Sequence, residues 1–194
     1  MTTQLEIKYV KNVYEDIAVH FNDTRIWTWK WISNFIYSLP KNSYICDIGC
    51  GNGRNMLFKE YNFIGIDNCN SFLQFCKNKN LNVIHADITN IPIKSYYFDA
   101  LICIASFHHL SSIENRIKCL YELKRLLKPS GKILLSVWSK NQPSKTRRIF
   151  KNYGDNIVKW NNYGKIYERY YYIFKLEELY DLFKKVDLKV ECYY

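Results

Sequence analysis

Between residues 44 and 53 the chain reads Y-I-C-D-I-G-C-G-N-G: a short apolar run, an acid, then three glycines at alternate positions. Glycine tolerates positive φ and leaves its backbone uncovered, so such a stretch lets the main chain meet a ligand where side chains would collide. Read as a strand running into a tight turn that opens a helix, it marks the place where open α/β sheets bind nucleotide-like ligands. The strand, residues 44–48, delivers Asp47 to the carboxyl edge of the sheet. A dinucleotide loop needs glycine or alanine three places after its second glycine, and that place holds Arg54, so a pyrophosphate cradle is a poor match. Two further acids, Asp67 and Asp87, fall at or just beyond the ends of the next two expected strands, 63–67 and 82–85. Asp67, 18 residues after Gly49, can accept hydrogen bonds from both hydroxyls of a ribose. Asp87 can accept from the amino group of adenine. Each acid alone also reads as an ordinary strand-end cap; together with the glycines they describe a slot for adenosine.

These residues converge only if a sheet brings them together. Apolar runs at 63–67, 82–85, 98–105 and 132–138 alternate with helical patterns at 71–79 and 114–127, and K-P-S-G (128–131) reads as the turn before the fifth strand. Strands that are apolar throughout and separated by helices imply an α/β fold, a mostly parallel sheet with helices on both faces. Ahead of the sheet, Leu5, Tyr9, Val13, Ile17 and His20 recur at steps of three or four, one face of an amphipathic helix over 5–20. F-N-D-T-R (21–25) reads as turn and cap, followed by a second helix carrying Trp27, Trp29, Trp31, Phe35 and Tyr37 and closed by Pro40. This pair either caps the ligand cleft or packs on the sheet. Residues 139–165 read as irregular, 169–174 as extended, 176–185 as helical and 188–194 as a last strand. A single domain over 1–194 is expected, with 1–40 as a helical cap and 139–165 as a basic loop.

Lys and Arg outnumber Asp and Glu by 28 to 18, a formal charge of +10, which points to an anionic macromolecular partner. The charge clusters at Lys140, Lys145, Arg147, Arg148 and Lys151, a stretch without an acid that can hold phosphates. Phe150, Tyr153 and Trp160 beside it are candidates for stacking on unpaired bases. The seven cysteines form no C-x-x-C pair, so neither a zinc site nor a disulfide framework is indicated, and reduced, largely buried thiols are expected. No charged-then-apolar leader opens the chain and no apolar run approaches membrane-spanning length, which implies a soluble cytoplasmic protein.

An acid two residues before G-x-G-x-G is similar to motif I of the S-adenosylmethionine-dependent methyltransferases. More selectively, the chain resembles the eukaryotic tRNA methyltransferases that esterify carboxymethyl-uridine at the wobble position. The matching stretches are Y-V-K-N-V-Y-E-D-I-A-V-H-F-N-D-T-R (9–25), D-I-G-C-G-N-G (47–53), G-I-D (65–67), A-D-I-T-N-I-P (86–92), F-D-A-L-I-C-I-A-S-F-H-H (98–109), V-W (137–138) and R-Y-Y-Y-I-F-K-L-E-E-L (169–179). The resemblance implies a Rossmann-like methyltransferase fold and S-adenosylmethionine as cofactor, bound at Asp47, Gly49, Gly51, Asp67 and Asp87. Their neighbours Cys50, Asn52, Gly53, Asn68 and Ile88, with Ile104 at the end of the fourth strand, complete the candidate cofactor-binding set. It also implies substrate-side roles for Arg25, His109 and Trp138, tRNA as substrate, and a small zinc-binding activator protein as partner. Three departures stand out: Tyr172 where the family has His, Leu110 where it has Trp, and a final strand with paired tryptophans that would follow residue 194. The carboxyl-terminal hairpin is therefore expected to be incomplete, leaving an open edge beside the fifth strand that residues 188–194 either cover or leave frayed.

On this reading the acceptor is a carboxylate, ionised at neutral pH because a free carboxyl has a pKa of about 4, and it needs no general base. It must instead be aimed and stripped of water. Arg25 can fix a carboxylate's plane with its fork, His109 can donate to the carboxymethyl group or a phosphate, and Trp138 can stack on an extruded uracil, while His108 is assigned to structure. Two other readings stay open: a small-molecule acceptor on the same fold, and a catalytically silent scaffold that binds RNA or a protein. Cofactor binding by calorimetry separates the last from the others, and salt-sensitive binding of tRNA separates the first two.

Overall fold

In the computed structural model, which describes residues 2–142 and 150–191, five strands form one parallel sheet. They are β1 (Tyr44–Ile48), β2 (Asn62–Asp67), β3 (Val83–His85), β4 (Phe98–Ile104) and β5 (Leu127–Ser136), in the order β3-β2-β1-β4-β5. Asp47 pairs in register with Gly65 on one side and Ile102 on the other. Strand order reverses at β1, so a crevice opens above its carboxyl end, next to β4.

Both faces of the sheet are covered, because every inner strand is apolar on both sides. On one face α5 (Ile113–Leu126) and α6 (Leu176–Lys185) bury Leu120, Leu123 and Leu182 against Ile48, Ile66 and Leu101. On the other, α3 (Lys30–Tyr37) and α4 (Asn70–Asn78) bury Ile32, Ile36, Leu73 and Cys76 against Ile45, Ala100 and Ile102. Six cysteines are buried and free, at positions 46, 50, 69, 76, 103 and 119, and Cys192 lies outside the described residues.

The glycine stretch does not open an α-helix. Gly49, Gly51 and Gly53 all have positive φ, and they lead into a single 3-10 turn, Arg54–Met56. The K-P-S-G turn is absorbed into β5: pairing with β4 jumps from Phe98↔Leu127 to Ala100↔Lys132, so Lys128 to Gly131 form a bulge with Ser130 at φ 64°. A bulge on an outer strand accommodates Pro129, which has no N–H for the ladder.

The largest departure lies in residues 139–165. Rather than being irregular throughout, they contain β6 (Gly154–Asn162), which pairs antiparallel with β7 (Lys165–Ile173). Tyr163 and Gly164 link the two at φ 51° and 94°, a two-residue loop whose positive φ values suit the twist of a hairpin. Exposure alternates along β6, a one-sided strand among polar residues, and so no apolar run marks it in the sequence. This hairpin is a sheet of its own, and among the described residues no strand pairs with the outer edge of β5. Residues 188–191 form no strand; the remainder of the expected last strand, 192–194, lies outside the described residues, as do Lys145, Arg147 and Arg148. Phe150 and Trp160 are 4% and 7% exposed, so of the aromatics proposed for base stacking only Tyr153 remains available.

The amino-terminal helix is longer than its pattern suggests, running through α1 (Gln4–Glu6), a π-helical turn (Ile7–Lys11) and α2 (Asn12–Thr24). Asn22, Asp23 and Thr24 belong to its last turn, where the Thr24 hydroxyl donates to the His20 carbonyl at 2.7 Å. The wider π turn rotates the buried face, so that Val13, Ile17 and Ala18 are buried while Leu5 is exposed and Glu6, 5% exposed, takes the inward position. The Glu6 carboxylate accepts from Thr3 N at 3.0 Å, Ser111 N at 2.6 Å, Ser111 Oγ at 3.0 Å and Asn115 Nδ2 at 3.0 Å. Replacing Glu6 with Ala strands these buried donors; we expect urea unfolding to show a loss of about 2–4 kcal/mol, with the Gln variant intermediate.

Candidate active site

A cleft of about 540 Å³ lies over the carboxyl ends of β1, β2 and β4. Gly49, Gly51, Asp67, Asn68, Asp87, Ile88 and Ile104 line one side, and Arg25, His109 and Trp138 line it as well. Asp47, Cys50, Asn52 and Gly53 stand behind this wall, all buried. The structure thus brings the expected cofactor-side and acceptor-side residues to one cavity, four of them as backing.

Each wall residue is held by identifiable contacts. Gly49 N and Cys50 N donate to the Ile66 carbonyl at 2.7 and 3.0 Å, folding the glycine loop back over β2. A side chain at Gly49 would put its Cβ 2.2 Å from Ser106 Oγ, which itself donates to the Gly49 carbonyl. Gly51, by contrast, is open, with Phe21 the nearest neighbour at 3.6 Å; its positive φ and bare face leave backbone exposed to the cleft. Asp67 accepts from Gly51 N at 2.8 Å and from Cys69 N at 3.0 Å, joining the loop to the start of α4. Asp87 accepts from Thr89 N and Oγ1 through one oxygen and from Thr2 Oγ1 through the other, so the amino-terminal segment reaches this acid.

Asp47 is different. It is 1% exposed, and neither carboxylate oxygen has a hydrogen-bond partner. Burial, reinforced by the nearby charge of Asp67, pushes its pKa from 3.8 up to about 7, against the opposing pull of Arg54 and of the Asn55 side chain, which lies close without forming a good hydrogen bond. Burial also raises Asp67, restrained by the main-chain N–H groups of Cys69, Gly51 and Asn68. Two buried acids at one strand edge create a negative field that Arg54 offsets only in part. A ligand carrying positive charge and hydrogen-bond donors fits that environment.

Arg25 caps the end of α2. Its carbonyl accepts from Asn52 Nδ2 at 2.9 Å, and the same amide donates to Asn22 Oδ1, tying the glycine loop to the helix end. The guanidinium lies 5.0 Å from the Trp160 ring centroid and donates to the Thr24 hydroxyl at 3.0 Å. His109 is committed at both nitrogens: Nδ1 donates to the Tyr170 carbonyl at 2.7 Å, and Nε2 meets the Tyr14 hydroxyl at 2.9 Å. Arg169 Nη1 donates to that hydroxyl at 3.2 Å, so Tyr14 joins His109 to the arginine. Both ring nitrogens of His109 thus meet neighbours in this arrangement, contacts that seat β7 against the cleft. Trp138 forms part of the wall next to Phe150, and its main-chain N–H donates to His108 Nδ1 at 3.3 Å. His108 is fully buried and stacks on Tyr171 at 4.7 Å.

Sequence reasoning missed Thr2, Tyr14, Phe21, Arg169 and Tyr171, all of which line the cleft. Tyr14 and Phe21 share one face of α2, and Arg169 and Tyr171 one face of β7, so only knowing what those faces meet could have singled them out. Of the departing positions, Leu110 lines the cleft, and Tyr172 is stacked by Arg116 at 3.4 Å while donating to Glu178.

A family model described as a methyltransferase domain matches residues 46–135. A tRNA (carboxymethyluridine(34)-5-O)-methyltransferase of Arabidopsis thaliana is 42% identical over 73% of this chain and 35% of its own length. A Xenopus tropicalis relative whose name states the same activity is 40% identical over 74% of this chain and 23% of its own. The Schizosaccharomyces pombe protein of that name is 34% identical over 94% of this chain and 89% of its own. The chain thus spans about a third or less of the plant and frog relatives and most of the yeast one. Among solved structures, an S-adenosylmethionine-dependent methyltransferase of Clostridium acetobutylicum superposes with a TM-score of 0.69 at 18% identity, over 93% of this chain and 90% of that one. The complex between the Trm112 methyltransferase activator and a methyltransferase of Haloferax volcanii gives 0.53 at 17% identity, over 67% and 61%. At these identities the likeness shows the fold, a Rossmann-like methyltransferase architecture. Among the described residues no helix is long and apolar enough to cross a membrane.

The raised pKa of Asp47 has a measurable sign. A carboxyl whose pKa is higher folded than unfolded contributes stability that is complete below its unfolded pKa of 3.8 and lost as pH rises through about 7. The shift corresponds to something on the order of 4 kcal/mol. In ligand-free thermal melts from about pH 4 to pH 8, the wild type should lose stability through this window, and Asp47→Asn should flatten the decline.

Proposed function

The chain belongs to the family of the tRNA (carboxymethyluridine(34)-5-O)-methyltransferases, and on that premise we propose that it transfers a methyl group from S-adenosylmethionine to the carboxylate of carboxymethyl-uridine at the tRNA wobble position, forming the methyl ester. What supports this reading is that the lining of a single cleft includes both the glycines and acids suited to adenosine and an arginine and a tryptophan suited to a carboxylated uracil.

The cofactor fits the residues present. Asp67, with lone pairs left after its two main-chain bonds, would take the ribose hydroxyls, and Asp87 would accept from the adenine amino group beside Ile88. The bare backbone at Gly49 and Gly51 would allow close approach, and Asp47 behind it offers charge rather than contact. When bound, S-adenosylmethionine supplies a methyl group on a sulfonium, which keeps the bonding electron pair on sulfur as an acceptor oxygen attacks.

The rest is positioning. A carboxylate acceptor arrives already ionised, so no residue has to remove a proton. Arg25, stacked over Trp160 and anchored through its carbonyl to Asn52, would hold the carboxylate while leaving a lone pair free. Trp138 would stack on the uracil, and the Tyr14, Phe21 and Tyr171 rings would exclude water. For the nucleic acid, Tyr153 is exposed with Lys140 and Lys175 over its ring at 4.9 and 5.8 Å, an arrangement suited to an unpaired base flanked by phosphates. A small zinc-binding activator of the Trm112 kind is the proposed protein partner, in line with the Haloferax complex of the same fold.

The decisive measurement is transfer of labelled methyl from S-adenosylmethionine to bulk tRNA, with and without the activator, followed by nucleoside analysis. Label is expected in an alkali-labile ester on a uridine; label on a base nitrogen would remove the reading. Arg25→Ala should lower methyl transfer by roughly 100-fold while calorimetry shows cofactor affinity nearly unchanged, and lost cofactor binding would mean that Arg25 has been given the wrong role.

A further inference from the structure

The R-Y-Y stretch places on the cleft a buried cation that the proposed chemistry leaves unused. Arg169, on β7, is 1% exposed, and among the described residues no carboxylate pairs with it. Its guanidinium carbon lies 4.5 Å from the Trp160 ring centroid, 5.1 Å from that of Tyr171 and 5.8 Å from that of Tyr14. Aromatic faces attract a cation but accept few hydrogen bonds from it. Nη1 donates to the Tyr14 hydroxyl, whereas Nε and Nη2 form no well-aligned hydrogen bond, the Tyr171 side chain lying close enough to favour the charge without aligned geometry. A second buried arginine shows what a purely structural role looks like: Arg116, 3% exposed, donates through Nε to Leu110 O and through Nη2 to Ser111 O and the Tyr170 hydroxyl.

The Nε and Nη2 groups of Arg169 are adjacent, and together they form the edge of the fork that grips a carboxylate with two parallel N–H···O bonds. Arg25 lies over the same indole, 5.0 Å from its centroid, so two guanidinium groups that line the cleft share one ring. Taking on the acceptor carboxylate would relieve an uncompensated buried charge.

We propose that Arg169 is the principal carboxylate-binding residue of the acceptor site, its Nε–Nη2 edge taking both oxygens of the carboxymethyl group, with Arg25 as the second cation. This rests on the acceptor proposed above. Each oxygen keeps a lone pair, so an oxygen held this way can still be methylated. Nη1 remains with Tyr14, and the fork is held at a set angle by its bond to the Tyr14 hydroxyl, which also meets His109. Specificity for the acid over a neutral analogue of the same size then comes from Arg169.

The test compares anticodon stem-loops carrying either carboxymethyl-uridine or its neutral carbamoylmethyl isostere at the wobble position. Binding is measured with the demethylated cofactor present so that no turnover occurs. Wild type should prefer the acid by about tenfold or more, and Arg169→Gln should bring the two to within about twofold while binding cofactor normally. Arg169→Lys, which keeps the charge and loses the fork, should fall between them. An Arg169→Gln variant that discriminates as well as wild type overturns the assignment alone; a wild type indifferent to the carboxylate overturns the acceptor reading and the assignment with it. Should both variants fail to fold, the Arg169 Nε–H resonance of labelled wild-type protein, identified by its proximity to the Trp160 indole, is the readout. It should move with the acid and not with the isostere, and an unmoved resonance overturns the proposal.

Discussion

Two carboxylates on one helix hold the cleft together. Glu6 accepts from Ser111 N and Asn115 at the start of α5, and Glu15 accepts from Asn70 N and Ser71 N at the start of α4. Each supplies negative charge where a helix leaves its first N–H groups unsatisfied. α5 and α4 lie on opposite faces of the sheet, so a helix clamped to both has to cross the carboxyl edge between them. A third tie, from Asn52 to Asn22 and the Arg25 carbonyl, fixes the far end of that helix over the glycine loop. The far wall of the cleft, with Tyr14, Phe21 and Arg25, exists because of these contacts.

The interior of the site is poor in compensation. Asp47 has two carboxylate oxygens without donors, Asp67 relies on main-chain N–H groups, and Arg169 keeps two donors without well-aligned acceptors. Buried charges left in this condition are costly, each by an amount comparable to a lost hydrogen bond or more. Asp67 and Asp87 line the cleft at and beyond strand ends, and Arg25 and Arg169, which share the Trp160 ring, line it as well. A cofactor that brings positive charge and a substrate that brings negative charge would each meet groups that favour it.

Where sequence and structure diverge, the cause is local pattern meeting tertiary context. β6 alternates exposed with half-buried residues and carries three Asn among nine residues, which reads as loop until β7 is placed beside it. Trp160, at the end of that hairpin, reads in sequence as a surface aromatic near a basic tract; it is buried because α2 lies over it, packing Val13 and Ile17 against its ring. The K-P-S-G turn exists as a turn, yet β4 continues to pair on both sides of it and makes it a bulge. One extra residue in the π turn moves the inward position from Leu5 to Glu6, a rotation that no period-3.6 count anticipates.

Apolar runs and glycine positions along the chain were enough to read the parallel sheet, the strand ends at or beyond which Asp47, Asp67 and Asp87 stand, and the glycine loop, because these depend on local hydrophobicity and on φ values that glycine adopts freely. The resemblance of its motifs was also enough to place Arg25, His109 and Trp138 on the same cleft. Only the tertiary structure decided what each polar atom meets: that both His109 nitrogens meet neighbours, that Asp47 stands behind the wall, and that Arg169 reaches the cleft with part of its fork lacking a well-aligned partner. Those outcomes turn on contacts between segments far apart in the chain, such as Tyr14 with Arg169, and on which groups burial leaves without a partner. Neither is written in the spacing of residues along one strand or helix.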